Sequence, residues 1–228
     1  MKTVTRLLST IVFVTLASCV SPPKDQPLSQ ADGARLRGAS LVIAKRDAPP
    51  FAEMTAGKAA LGSFGVVGAV AGASAMESEG KKIVEGNVIQ DPADQMGRQL
   101  ASALSAARGA KVSASSASKV KDKDPKAIAR AYPGSDFVLD VRTTLWATVY
   151  FPTNWARYRV IYCAQLQLIE TRTGRVIAQG VYGRVPEKTP SSPTRDELHA
   201  NNAAILKREL QTGAAECTAH FKRNVLGL

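Results

Sequence analysis

Residues 137–151 read FVLDVRTTLWATVYF, and residues 158–170 read YRVIYCAQLQLIE. In the first stretch Phe137, Leu139, Val141, Leu145 and Val149 alternate with Asp140, Arg142, Thr144 and Thr148, the period-two pattern of a strand with one face on a core. Pro152-Thr153-Asn154 supplies a turn into Tyr158-Arg159-Val160-Ile161-Tyr162, and that strand continues to Leu168. Thr173-Gly174 makes a second turn, and residues 176–185 form the next strand. An antiparallel three-strand meander is therefore expected at the centre, with everything else placed around it.

Upstream, Leu41-Val42-Ile43-Ala44 reads as a short buried strand stopped by Asp47 and Pro49-Pro50. Asp91-Pro92 gives an N-cap and a helix-compatible proline, and Met96, Leu100, Leu104 and Ala107 then share one helical face up to Gly109. Residues 111–118 suit a polar edge strand. Asp124-Pro125 repeats the cap for a short helix through Ile128, closed by Pro133-Gly134. Thr194-Arg195-Asp196-Glu197 has the capping-box spacing. It opens a long terminal helix with Leu198, Ile205, Leu210, Cys217 and Phe221 near one stripe, bent at Gly213. The fold class expected is α/β: a mixed, mainly antiparallel sheet of four to five strands covered by helices, with a long C-terminal helix.

The amino terminus carries an address. Lys2 and Arg6 form a basic n-region, and Leu7 to Leu16 is an apolar run far short of the ~20 residues that span a bilayer. Residues 1–18 therefore read as a signal peptide. The run Leu16-Ala17-Ser18-Cys19 resembles the lipobox of bacterial lipoproteins. That resemblance implies cleavage before Cys19, lipidation of its thiol and acylation of its amino group with palmitate-type chains. Three acyl chains at ~0.8 kcal/mol per buried methylene make such an anchor effectively permanent. Val20 stands where an Asp accompanies inner-membrane retention in that family, which points to the periplasmic face of the outer membrane. Residues 19–38, rich in Pro and poor in apolar side chains, read as the lipidated Cys and a flexible tether, and residues 39–228 as one periplasmic domain.

The meander carries a second resemblance. Residues 135–140 (SDFVLD), Tyr158-Arg159-Val160 and residues 166–177 (LQLIETRTGRVI) are similar to the periplasmic domains of the curli-secretion lipoprotein, the TolB amino-terminal domain and the outer-membrane activators of penicillin-binding proteins. The resemblance is topological and implies a helix-covered mixed sheet in an accessory of a larger envelope machine. Glu170 stands where that group more often has Asp, and no site residue carries over.

The chain has 228 residues and a formal net charge of +11, which falls to +9 once Lys2 and Arg6 are removed. An exported protein does not meet nucleic acid, so the charge reads either as a solubilising surface or as contact with anionic lipid or peptidoglycan. Lys and Arg at 108, 111, 119, 121, 123, 126 and 130 face only Asp122 and Asp124, a local excess of the same two readings.

The Gly/Ala-rich insertion at about 55–82 has no counterpart in the resembling group. Its Gly65, Gly68 and Gly72 have the small-residue spacing of close helix packing. It reads as a helix or loop tucked against its own domain, or as a surface for self-association or membrane contact.

Chemistry is sparse. There is no Gly-x-Ser-x-Gly elbow, and His199 and His220 are six helical turns apart. Cys217 and His220 share a helix face without further ligands in view, so neither a metal nor a cofactor is expected. Cys163 and Cys217 suggest a disulfide in an oxidising compartment, although alternation places Cys163 on the more polar face of its strand. Asp136 and Asp140, about 13 Å apart along a strand, read as solvated strand ends. Trp146, Tyr150, Trp155 and Tyr158 crowd the hairpin tip, either to meet a partner or to hold the hairpin by cross-strand pairing. The function expected is that of a non-catalytic, lipid-anchored accessory or regulator with a protein partner in the envelope. The alternative is an oligomeric, channel-like subunit assembling through the Gly/Ala segment, and a remote one is a cell-wall-active enzyme.

Overall fold

The computed structural model describes residues 24–57, 65–114 and 118–228. The signal peptide and Cys19 lie outside them. In chain order the elements are α1 (Gln30–Ala34), β1 (Ser40–Ile43), β2 (Ala52–Met54), α2 (Gly65–Gly86), α3 (Ala93–Arg108), β3 (Lys111–Ser113), α4 (Pro125–Arg130), β4 (Phe137–Phe151), β5 (Asn154–Glu170), β6 (Arg175–Arg184) and α5 (Arg195–His220), which runs into a π-helical turn, Phe221–Leu226.

Six strands form one sheet in the order β3-β1-β4-β5-β6, with β2 pairing β4 further along the same side. The long β4–β5–β6 meander is antiparallel, as its alternation predicts. The short strands β1, β2 and β3 pair in parallel, β1 with β3 and β4, and β2 with β4. The sheet thus has one strand more than the four to five expected, because β2 centres on Glu53, a residue no strand pattern selects.

The meander's faces hold one surprise. Phe137, Leu139 and Val141 face the main core, but a register shift lies between Thr143 and Leu145. One extra residue in β4 reverses the alternation. Leu145 consequently turns outward, 44 % exposed, and Trp146 turns into the core. Helices α3 and α5 cover this face with Met96, Leu100, Leu104, Leu206, Leu210 and Cys217. A smaller cluster on the other face, Val42, Ile128, Tyr132, Val138 and Ile169, lies under α4.

Two of the three side-chain N-caps read from sequence are present; at α3 the cap position is Pro92, which makes no side-chain cap bond, and Asp91 instead accepts from Ala93 N–H. The Asp124 carboxylate accepts from Ala127 N–H, and Thr194 and Glu197 form the reciprocal capping box. Helix α3 ends at Gly109 in the left-handed region, φ 73°. The terminal helix is not bent at Gly213. It breaks at residues 200–203, where Asn201, Asn202 and Ala203 all have positive φ. Gly213 stays helical because Tyr162 packs on it, and a Cβ there would lie 2.9 Å from the tyrosine's own Cβ.

The flexible tether expected through residue 38 ends earlier. Asp25 accepts from Val181 N–H and lies 2.7 Å from His220 Nε2, while Gln26 pairs with Gln179 on the free edge of β6. Leu36 is fully buried. Hydrophobic contact of Leu36 and these backbone bonds make residues 24–38 part of the domain.

Helix α2 is the described part of the Gly/Ala insertion. It rests on β2 through Gly80, where an added Cβ would lie 1.8 Å from the Phe51 carbonyl oxygen. Gly65, Gly68 and Gly72 lie in the same helix, Gly72 buried, and what Gly65 and Gly68 touch lies outside the described residues. No helix of the described residues is long and apolar enough to cross a membrane.

Candidate functional site

Residues 44–51 leave β1 and return as β2, and three cavities meet around this segment. One of about 690 Å³ is bordered by Arg46, Asp91, Arg98 and Lys207, one of about 620 Å³ by Pro49, Phe51, Lys81 and Trp146, and one of about 450 Å³ by Arg46, Lys121, Lys123 and Arg142. The first two lie on the main-core side, against α2 and α3, and the third on the other face of the sheet beside the loop before α4; the groove is this rim around residues 44–51.

Charge is built into its floor. Asp140, expected as a solvated strand end, is 1 % exposed. Arg46 grips it with both arms, Nε to Oδ1 at 2.7 Å and Nη2 to Oδ2 at 2.8 Å. Arg142 adds Nη1 to Oδ2 at 3.1 Å and reaches Gln165 Oε1 at 2.8 Å. Burial forces this pairing, since an unpaired carboxylate there would forfeit its hydration. Asp136 does lie in water, accepting from Ser40 N–H and Oγ.

Asp91 stands where two of the cavities adjoin. Its carboxylate accepts from Ala93 N–H at 3.0 Å and from the Thr143 hydroxyl, which lies 2.9 Å from the Tyr162 hydroxyl. Burial raises the pKa of both Asp91 and Tyr162. A buried carboxyl of raised pKa at a cleft marks a functional-site candidate. Here, though, each oxygen donor around it is tied into the same internal chain.

A second buried cluster lies under β2. Glu53 is fully buried and accepts from Arg195 at 2.7 and 3.1 Å, with His199 Nε2 at 2.9 Å. Burial pushes its pKa up, but the hydrogen bonds from His199 and Arg195 outweigh that and hold it at about 2. Among the described residues neither histidine is hydrogen-bonded to a Ser, Thr or Cys; His220 takes Asp25 and Asn224. Nor do three metal-ligating side chains converge among them. Cys217 and His220 part company, the thiol pointing to the Tyr182 carbonyl.

The expected Cys163–Cys217 bond is absent, and both thiols are free. Alternation along β5 is the reason: Tyr162 and Ala164 face Cys217 and the main core, and Cys163 faces away beside Gly183. Burial raises both thiol pKa values, that of Cys217 to about 12.

The aromatic quartet also separates. Trp146 is buried edge-on against Phe51, its indole N–H donating to the Pro49 carbonyl at 2.8 Å. Tyr158 is buried and Tyr150 half-buried, so of the four only Trp155, 68 % exposed, is open to solvent at the tip. Tyr150 and Tyr158 stand opposite each other across the hairpin, as the cross-strand reading expects, and the bulge in β4 is what carries Trp146 inward. Sequence reasoning also missed Arg46, Glu53 and Asp91. A signal existed for Arg46 alone, as part of the Lys45-Arg46 pair at the exit of an apolar strand.

No protein-family model and no curated protein matches the chain. Among solved structures it is similar to the LpoB C-terminal domain from Salmonella enterica (13 % identity, 66 % of this chain and 84 % of that one, TM-score 0.28). It is also similar to the PelC dodecamer from Paraburkholderia phytofirmans (11 %, 84 % and 91 %, 0.31) and to lipoprotein GNA1162 from Neisseria meningitidis (14 %, 78 % and 99 %, 0.27). The expected likeness to the penicillin-binding-protein activator group is present, at low identity. Scores of this size carry no argument about activity, which has to come from the chain's own residues.

Proposed function

We propose that the protein is a non-catalytic accessory of the cell envelope, anchored through a lipidated Cys19 at the periplasmic face of the outer membrane, and that it works by binding in the groove around residues 44–51. One observation carries the binding role. The charged groups that build the groove floor, Arg46, Asp140 and Arg142, are held together in a fixed cluster in which two cations share one carboxylate. Such an arrangement presents a rigid, charged surface and leaves no activated nucleophile beside a base. The anchor rests on the residues from Leu16 to Cys19.

Cys19→Ser tests the address. The variant should stay unprocessed by lipid attachment and leave the membrane fraction, with a mature mass lacking the acyl chains. A variant that remains in the outer-membrane fraction with an unchanged mass overturns the anchor. In-cell crosslinking from Lys81, on the groove's α2 side, should capture a specific protein that crosslinking from Arg172, outside the groove, does not.

A further inference from the structure

The cavity of about 450 Å³ has an electrostatic imbalance that its own acids do not correct. At the floor two guanidiniums, Arg46 and Arg142, share the single carboxylate of Asp140, which leaves one positive charge in excess. The Arg46 and Arg142 side chains are only 8 % and 14 % exposed, so little water screens that excess. Burial lowers the Arg142 pKa, the cost of holding a second cation there, and a bound anion would remove it.

The mouth repeats the imbalance. Residues 118–124 are fastened over β1's exit, with Val120 N–H donating to the Lys45 carbonyl at 2.9 Å and Arg46 Nη1 to the carbonyls of Val120 and Asp122. The two acids of this loop serve the backbone. Asp122 accepts from Asp124 N–H at 2.9 Å, and Asp124 caps α4 through Ala127 N–H at 3.2 Å. Lys119 is matched by Asp47 at 2.6 Å. Lys121 and Lys123 are exposed at the rim; Asp47, already paired with Lys119, also feels the Lys121 charge, and among the described residues neither rim lysine forms an ion pair.

We propose that this cavity binds a phosphate monoester carried on a small polyhydroxylic group, with the oxyanion toward Arg142 and between Lys121 and Lys123. Guanidinium forks match phosphate geometry, and the volume, in the range of small-ligand sites, exceeds what bare phosphate needs. Gln165 and the exposed Thr144 line the remainder with an amide and a hydroxyl for the ligand's own hydroxyls. The proposal gives a ligand class to the binding role above and rests on that reading for its place in the envelope.

Calorimetric titration of the full-length protein with glucose 6-phosphate and glycerol 3-phosphate tests it, with glucose and glycerol as neutral controls. Saturable binding of at least one ester is expected, absent with both controls and weakened by salt. A preference for the sugar ester assigns the site to glycans, and one for the glycerol ester to lipid head groups. Arg142→Gln should weaken binding about tenfold, the scale of one charge-assisted hydrogen bond. K121Q/K123Q lies on the exposed rim, so it should leave the melting temperature unchanged while flattening the salt dependence. The proposal is overturned if neither ester binds, or if binding survives unaltered in both variants. Fractionation of Cys19→Ser reads the anchor separately, so failure of the anion site and failure of the envelope reading give different results.

Discussion

Replacing Gly80 with alanine should destabilise the protein, although helix propensity alone argues the opposite. Mid-helix Gly→Ala normally gains up to about 1 kcal/mol. At Gly80 the new Cβ would lie 1.8 Å from the Phe51 carbonyl oxygen, 2.6 Å from its carbon and 3.2 Å from Ala52 N. These are backbone atoms entering β2, which is held to β4 by the Ala52↔Ala147 pairing, so they cannot swing aside as a side chain would. Restoring an ordinary contact of about 3.5 Å means withdrawing α2 by roughly 1.5 Å. Ile83, 6 % exposed in the main core, is one turn along the same helix and is drawn out with it. Overpacking costs about 1–3 kcal/mol and lost burial adds to it, so the net after propensity is about 1–3 kcal/mol. At about 2–4 °C per kcal/mol for a domain of this size, the melting temperature should fall by roughly 2–12 °C. Thermal unfolding followed by circular dichroism measures this directly. Gly86→Ala in the same helix is the control, because its Cβ would meet nothing within 4 Å and should leave stability equal or slightly higher. If Gly80→Ala melts at or above the wild-type temperature, α2 does not rest on β2 as described and the reasoning is refuted.

The buried Glu53 sets an acid limit. Its folded pKa of about 2 lies below the ordinary 4.5, so its pairing contributes fully above pH 4.5 and is lost as pH falls from there toward 2. The shift corresponds to roughly 3 kcal/mol, so Glu53→Gln should lower the urea midpoint at pH 7 and flatten its decline between pH 5 and 3. A variant curve parallel to wild type would show that the Arg195 and His199 contacts do not hold this carboxylate. Alkylation under denaturing, non-reducing conditions should label both Cys163 and Cys217, whereas native labelling at pH 8 should spare Cys217, whose buried thiol stays protonated. Protection of both in the denatured protein would mean that they are bonded after all.

What the sequence made legible is what local physics controls. The meander follows from alternation and from the Thr173-Gly174 turn, where Gly174 adopts φ 70° as the turn requires. The caps at Asp124 and Thr194 could be read because the residues that satisfy each other are three apart. The illegible parts depend on distant partners. Glu53 is a strand residue only because Arg195, 142 positions on, neutralises it. Asp140 is buried only because Arg46, 94 positions earlier, reaches it. The bulge in β4 exchanges Leu145 for Trp146, and no period-two pattern announces an unpaired Thr144. Helix α2 has too little periodicity and too many glycines to be placed, and its packing is decided by a carbonyl on another element. The groove therefore emerged from the fold, because its residues were visible beforehand only one by one and not as neighbours.

The early docking of residues 24–38 restricts how far the domain can travel. Asp25 is fixed to Val181 and His220, and six peptide steps separate it from Cys19. At no more than ~3.6 Å per step that is a leash of about 20 Å, less than one bilayer thickness. With Cys19 in the membrane as proposed, the corner formed by β6 and the final π-helical turn rides just above the lipid. Such a protein cannot reach far across the periplasm. On that anchoring, a partner would have to come down to the membrane surface to meet it.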